Sequence, residues 1–318
     1  MITAGLRRAI GAAAGRQDAD PLLRPGPVPG SYTSSLPFRL DSADPGQAAA
    51  RLAARLGDEP WIARAEVTGP GFLTVTVTHA TLARLAIRIA HAGPACAGSD
   101  ALAGQTVPAP RPAAVTGWPQ ARAALAAELT ARLATAAGAI IGAERSSVPA
   151  PVPPPPPPVA EAIRYAGADA VRFALARMPP GGQPPEAAVI ARHVLGNPAY
   201  AVRYAHAAAA AVLRWAAALE IRPAGFKPRL LAEPGELALL DALSWLPERV
   251  AAAARRGRPD QFAGYLAELA ARTIDTMSTT SFRKIPDISS ERLWLADAAR
   301  TGLAAGLGLL GIAAPNRL

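Results

Sequence analysis

Cysteine is the scarcest chemistry-bearing residue in this 318-residue chain: Cys96 stands alone, which excludes an internal disulfide and any cysteine-based metal cluster and fits a reducing compartment. Lysine is nearly missing as well, with Lys227 and Lys284 the only two among 33 basic residues. Aromatic side chains make up only 5% of the chain, and with alanine and leucine dominant the balance favours helices packed through small side chains over a β-sandwich. The histidines, His79, His91, His193 and His206, are scattered, and no nucleophile elbow, glycine-lysine phosphate loop or clustered metal-ligand set is present. No metal and no cofactor are expected. Long apolar runs are lacking too. The stretch from Gly302 to Ala314 falls well short of the roughly 20 residues that cross a bilayer, and Asp297 and Arg300 lie just upstream, so a buried last helix and no membrane partner are expected. Near the start, Arg7 and Arg8 precede a brief alanine run broken by Gly15, Arg16 and Asp18, too short and polar for the apolar core of a signal peptide. A cytoplasmic location is expected.

Against these absences, 51% of the residues are hydrophobic, enough for a real core, and the length suits two folded units. The formal charge is +9 and the pI about 10.6. A surface rich in arginine attracts polyanions, because the planar guanidinium matches phosphate oxygens in pairs and displaces counterions from a nucleic-acid backbone. Exchange of lysine for arginine throughout a GC-rich genome gives the same composition without such a partner, so charge alone leaves both readings open.

Periodicity divides the chain. Residues 1–30 read as a short helix over 2–15 followed by a flexible Pro/Gly-rich segment. Residues 31–105 read as a small α+β domain: Ala48, Leu52 and Leu56 line one side of a helix over 47–56, Phe72 to Thr78 alternates like a half-buried strand, and helix returns over 81–92. Residues 106–145 hold one amphipathic helix, 119–141, with Arg122, Glu128 and Arg132 outward. Residues 146–158 form a linker whose six consecutive prolines predict a stiff polyproline spacer between two bodies. Residues 159–318 carry periodic apolar faces over 160–178, 185–195, 198–219, 237–256, 259–278 and 291–312, which predicts a bundle of five or six helices. The expected fold class is mainly α, a C-terminal helical bundle with a smaller N-terminal α+β domain.

The most distinctive run is Asn197-Pro198-Ala199-Tyr200-Ala201-Val202-Arg203-Tyr204-Ala205-His206-Ala207. Asn197 suits a helix cap and Pro198 the first turn. On the helix that follows, Val202, His206, Ala209, Leu213 and Ala216 share one stripe, and Tyr200, Tyr204, Ala208, Ala211 and Trp215 share another. The first is more aliphatic and is expected to face the core, with His206 either a hydrogen-bonded core histidine or an exposed reader of bases. Tyr200, Tyr204 and Arg203 are then candidates for stacking on unpaired bases and gripping phosphate. The other reading packs both tyrosines against the next helix.

That run resembles the Asn-Pro-x-x-Tyr-Val-Gln-Tyr-Ala-His-Ala-Arg signature of the DALR anticodon-binding domain of arginyl-tRNA synthetases. Asp169-Ala170-Val171-Arg172 stands in the place of the Asp-Ala-Leu-Arg segment. Arg292-Leu293-Trp294-Leu295, the glycines from Gly306 to Gly311 and Ala314-Pro315-Asn316-Arg317-Leu318 are similar to that family's closing helix and terminal Ala-Pro-x-Arg-Met. Ala65-Glu66-Val67-Thr68-Gly69-Pro70-Gly71-Phe72-Leu73 resembles the N-terminal additional domain of these synthetases, which touches the tRNA elbow. The resemblance implies an anticodon-binding bundle over 159–318, an additional domain over 31–105 and tRNA as partner. It implies tRNA-binding residues Tyr200, Arg203, Tyr204, His206, Arg300 and Arg317, and an elbow contact through Phe72 and Thr74.

The same family's catalytic elements are missing from the sequence. Its His-x-Gly-His element stabilises the reacting phosphate and its Lys-Met-Ser-Lys loop neutralises departing pyrophosphate, and neither spacing occurs here. Thr116-Gly117-Trp118-Pro119-Gln120-Ala121-Arg122 resembles the surroundings of the first element with both histidines lost, so residues 106–145 stand as a remnant helix in place of the catalytic body. Thr273-Ile274-Asp275-Thr276-Met277 replaces an aromatic cluster of the family, Arg203 a glutamine, Ala208 an arginine and Thr74 an asparagine. The expectation is a catalytically empty synthetase-like protein that binds tRNA. The alternatives are a non-catalytic subunit of an aminoacyl-transferring complex whose protein partner supplies catalysis, and a protein-binding scaffold that kept the fold. Gly306-x-Gly308-x-x-Gly311 matches a dinucleotide fingerprint in letters only, since no helix follows it; these glycines read as helix packing.

Overall fold

The computed structural model describes residues 1–16, 20–40, 44–109, 117–142, 157–279, 282 and 290–318. Apolar residues at helical spacing form α1 (Ile2–Ala14), which buries Ile2, Leu6 and Ile10 and ends where Gly15 turns left-handed at φ 66°. α2 (Pro45–Leu56) starts at Asp44, whose carboxylate accepts from the N–H groups of Gly46 and Gln47, and turns Ala48, Leu52 and Leu56 inward. Four antiparallel strands, β1 (Leu23–Pro25), β2 (Ser31–Ser34), β3 (Ile62–Thr68) and β4 (Phe72–Val77), pair in the order β1-β2-β4-β3. The β3–β4 hairpin lies on the start of α2. A Cβ at Gly71, where φ is 131°, would meet Pro45 Cβ at 2.8 Å, so only glycine permits this approach.

Three expectations change in this unit. The segment after α1, expected to be flexible, supplies the edge strand β1, paired from Leu23↔Ser34 to Pro25↔Tyr32. β4 is covered on both faces at its middle: Leu73, Val75 and Val77 are buried on one face and Thr74 on the other. The helix expected over 81–92 is two short ones, α3 (His79–Ala83) and α4 (Leu85–Ala92).

The helix expected over 119–141 is α5 (Trp118–Ala136). Gly138 at φ 91° turns the chain into β6 (Ile140–Gly142), which runs parallel to β5 (Thr106–Pro108). Arg122 is turned toward the bundle, and Glu128, half-exposed, is engaged from it. Arg122 donates to the carbonyl of Met178 at 3.1 Å, and Glu128 pairs with Arg172 at 2.7 Å, so α5 is fastened to the bundle; Arg132 is exposed as expected and also reaches Glu128.

The bundle comprises α6 (Pro157–Ala166), α7 (Ala168–Arg177), α8 (Ala187–Ile190), α9 (Pro198–Ala218), α10 (Pro234–Ser244), α11 (Leu246–Arg256), α12 (Pro259–Met277) and α13 (Ser290–Leu309). Gly167 at φ 86° splits the first expected helix. Pro247 lacks the N–H that would continue α10, which stops at Trp245. The helix expected over 185–195 is a single turn. Glycines of α13 permit close crossing: a Cβ at Gly302 would stand 2.8 Å from Leu243 Cδ2, and one at Gly306 would overlap the side chain of Leu266. Among the described residues no helix is long and apolar enough to cross a membrane.

The two units do not stand apart. The proline run expected to separate them falls outside the described residues up to 156, and its last residues open α6. The buried hydroxyl of Tyr32 on β2 donates to Ser244 Oγ at 2.7 Å, the Gly30 N–H donates to Asp241 Oδ1 at 2.9 Å, and His79 Nε2 donates to the Leu231 carbonyl at 2.7 Å. Arg7 of α1 makes two bonds to the Glu248 carboxylate of α11, and His91 meets the ring of Trp294 edge-on at 5.3 Å. One hydrophobic core runs through both units.

Candidate nucleic-acid interface

Asn197 organises the start of α9. Its Oδ1 accepts from the Ala199 N–H at 3.2 Å, the expected cap, while its Nδ2 donates to the carbonyls of Ile190 and Arg192 at 2.8 and 2.7 Å. The second pair of bonds folds the preceding loop back onto the helix and brings His193 over Tyr200. The rings of His193 and Tyr200 stack at 5.4 Å and 12°, and Tyr200 stacks on Tyr204, one turn along, at 5.8 Å and 27°. Tyr204 is 37% exposed, so one end of this three-ring ladder opens to solvent. Beside it lies a cleft of about 210 Å³ lined by Arg192, His193, Tyr200, Arg203 and Leu318. The Nε of Arg203 is buried with no hydrogen-bond partner, a donor that gains from any acceptor entering the cleft.

The opposite stripe of α9 is core, as its composition predicts: Val202, Ala209 and Ala216 are buried. His206 is also buried, at 2% exposure, and its Nδ1 donates to the Pro315 carbonyl at 2.9 Å. Burial, countered by that hydrogen bond and aided by repulsion from Arg300, holds its pKa below the ordinary value. The expected base contact through His206 is therefore corrected: the ring is inside and serves the fold. It belongs to a strap on the C-terminal tail. Arg214 Nη1 donates to the Asn316 carbonyl at 2.6 Å, Asp169 accepts from the Ala313 N–H at 3.3 Å, and Arg172 donates to the Leu310 carbonyl at 2.5 Å. The Asp-Ala-Val-Arg segment thus closes the end of α13 and seats the tail against α9.

Arg317 is exposed on that tail, next to Leu318 at the cleft. Arg203 and Arg214 lie three turns apart and so align along α9. With Arg192 and Arg317 they form an arginine track, and none of the four makes an ion pair among the described residues. Arg300 is not in the cleft; its guanidinium is engaged by Asp297 at 2.6 Å. In the N-terminal unit Phe72 packs at 4.8 Å on Phe38, itself 43% exposed, and keeps an accessible edge. Thr74 does not. It is 3% exposed and its hydroxyl meets those of Thr33 and Thr68 at 3.1 and 2.8 Å, so the expected elbow contact through Thr74 is corrected by its burial.

His193 and Arg192 escaped the sequence reading because residues 185–195 look helical; Gly196 ahead of Asn197-Pro198 was the signal that a loop precedes α9. Cys96 is buried and its thiol is pushed up to about 12, so it holds no thiolate near neutral pH. Among the described residues no group of three or more His, Cys, Asp or Glu side chains is placed to hold a metal ion.

Residues 202–318 match the model of the DALR anticodon binding domain. Similar proteins include the arginine–tRNA ligase of Clavibacter sepedonicus, 39% identical over 158 residues that make up 48% of this chain and 28% of that ligase. The arginine–tRNA ligase of Renibacterium salmoninarum is 38% identical over 164 residues, 49% of this chain and 30% of the ligase. The matched segment thus spans less than a third of the length of these relatives. Among solved structures, the Thermus thermophilus arginyl-tRNA synthetase aligns with 100% of this chain and 59% of its own at a TM-score of 0.42 and 18% identity. The C-terminal half of the chain is homologous to arginine–tRNA ligases and contains a DALR anticodon-binding domain.

Proposed function

We propose that this chain binds tRNA through the ladder and arginine track of α9 and performs no aminoacylation by itself. The observation that carries the reading is one juxtaposition: His193, Tyr200 and Tyr204 stacked with an open end, beside Arg203 whose Nε has no acceptor. Unpaired bases stack on such rings while guanidinium groups take backbone phosphates, and a tRNA loop offers both. The homology of residues 202–318 to an anticodon-binding domain supports the same partner. Thr273, Thr276 and Met277 are buried and offer no base contact, so affinity rests mainly on phosphate. Phe72 serves as a second contact from the 31–105 unit, and a cytoplasmic location follows from the partner. The absence of the His-x-Gly-His and Lys-Met-Ser-Lys spacings from the sequence motivates the second half of the proposal, with any catalysis supplied by another polypeptide.

Filter binding with total tRNA tests the first half. The wild-type chain binds at low salt, and Tyr204→Ala, at an exposed position, weakens binding by about 1–3 kcal/mol; no retention of tRNA at about 50 mM salt refutes it. ATP–pyrophosphate exchange by the purified chain, with arginine and tRNA present, refutes the second half. A protein-binding scaffold is the other reading, favoured by Val194 and Leu195, 51% and 52% exposed beside the ladder. It predicts a thermal midpoint indifferent to added tRNA, where the preferred reading predicts a rise.

A further inference from the structure

A second cationic cleft, about 600 Å³ in volume, opens in the N-terminal unit between α1 and the α3–α4 pair. Arg8 enters it from α1, and Arg84 and Arg88 from the other side, one turn apart, with the Arg88 N–H bonded to the Arg84 carbonyl at 3.2 Å. All three are exposed, and among the described residues none has an ion pair or side-chain hydrogen bond. The wall is aromatic. Trp61 lies over Gly5 of α1, where an added Cβ would stand 3.8 Å from Cη2, and its Nε1 donates to Glu59 at 2.8 Å. Among the described residues Glu59 is the one carboxylate in the lining against three guanidinium groups, so the cleft stays positive. Ile2, Ala9 and Ala12 make the floor apolar.

Like charges converging on a concave wall raise the local potential and favour an anion. Guanidinium groups take phosphate in paired hydrogen bonds, and an indole beside them offers a face to a base. We infer that this cleft binds a nucleotide, free or within an RNA strand, its phosphate on Arg8, Arg84 and Arg88 and its base against Trp61. Every lining residue belongs to the N-terminal unit, so the site is separate from the α9 face and does not rest on that reading.

Calorimetric titration of the full chain with ATP, inorganic phosphate and a short unstructured RNA oligomer tests the assignment. Saturable binding of ATP identifies a free nucleotide as ligand; binding of the oligomer without ATP identifies an RNA strand. In either case Arg84→Gln/Arg88→Gln weakens binding about tenfold or more. Arg8→Gln, on a different helix, acts in the same direction and keeps the test open if the double variant does not fold. Trp61→Leu weakens the base-bearing probes and leaves phosphate unaffected; because α9 also offers rings to an RNA strand, only the part of oligomer binding that is lost in Arg84→Gln/Arg88→Gln counts for the cleft. The inference is overturned if neither ATP nor the oligomer binds at millimolar concentration, or if binding is lost in Tyr204→Ala and unchanged in Arg84→Gln/Arg88→Gln, a result that would return the signal to α9.

Discussion

His206 shows how one residue of a recognition signature can serve the fold instead. Its folded pKa lies below the ordinary 6.5, so the unfolded chain takes up a proton at a pH where the folded chain does not. Its contribution is therefore fully present above about pH 6.5 and declines as pH falls from there toward the folded value. Urea denaturation between about pH 7.5 and about pH 5.5 should show stability falling in the wild type and a flatter profile in His206→Gln, which keeps a donor for the Pro315 carbonyl. A wild-type profile that does not fall over this window contradicts the assignment. At this scale the sequence was informative where spacing alone decides position: Tyr200 and Tyr204, four apart, stack as helical geometry requires. His193 was not legible, because its place depends on Asn197 closing a loop through two side-chain bonds. Thr74 was misleading, since strand alternation marks its face as the polar one but does not reveal that Thr33 and Thr68 cover it.

Among the elements, long periodic helices such as α9, α12 and α13 were legible within a few residues, because an apolar stripe of five turns has no competing reading. The breaks were harder. A glycine inside a helical pattern is tolerated in general, so Gly167 did not announce that it would turn to positive φ and divide α6 from α7; Pro247 did carry a stop signal for α10. β1, β5 and β6 have three residues each, too few for alternation to register, and exist because neighbouring strands complete their hydrogen bonds. The crossing of α13 over α12 rests on a hydrogen atom at Gly306, with Leu266 fully buried opposite it. Gly306→Ala should lower unfolding stability by about 1–3 kcal/mol through overpacking, despite the better helix propensity of alanine. A variant as stable as the wild type in urea would show that the helices can separate at no cost.

As a whole molecule, the chain was expected to be two bodies on a stiff spacer, and the contacts that join them were invisible in the sequence because each spans a long separation. Tyr32 meets Ser244, Gly30 meets Asp241 and Arg7 meets Glu248. Such an interface predicts coupled unfolding: single-tryptophan variants retaining Trp61 in the first unit or Trp215 in the bundle should report the same denaturation midpoint, and two separated transitions would contradict it. The same docking fixes where the α9 face lies relative to Phe72. The central claim is that this surface holds tRNA mainly by its phosphates. The direct measurement is the slope of log affinity against log salt for total tRNA, wild type beside Arg203→Ala and Arg214→Ala. The account predicts a steep negative slope that each substitution reduces by about one. A wild-type slope near zero, or one that neither substitution changes, would contradict it.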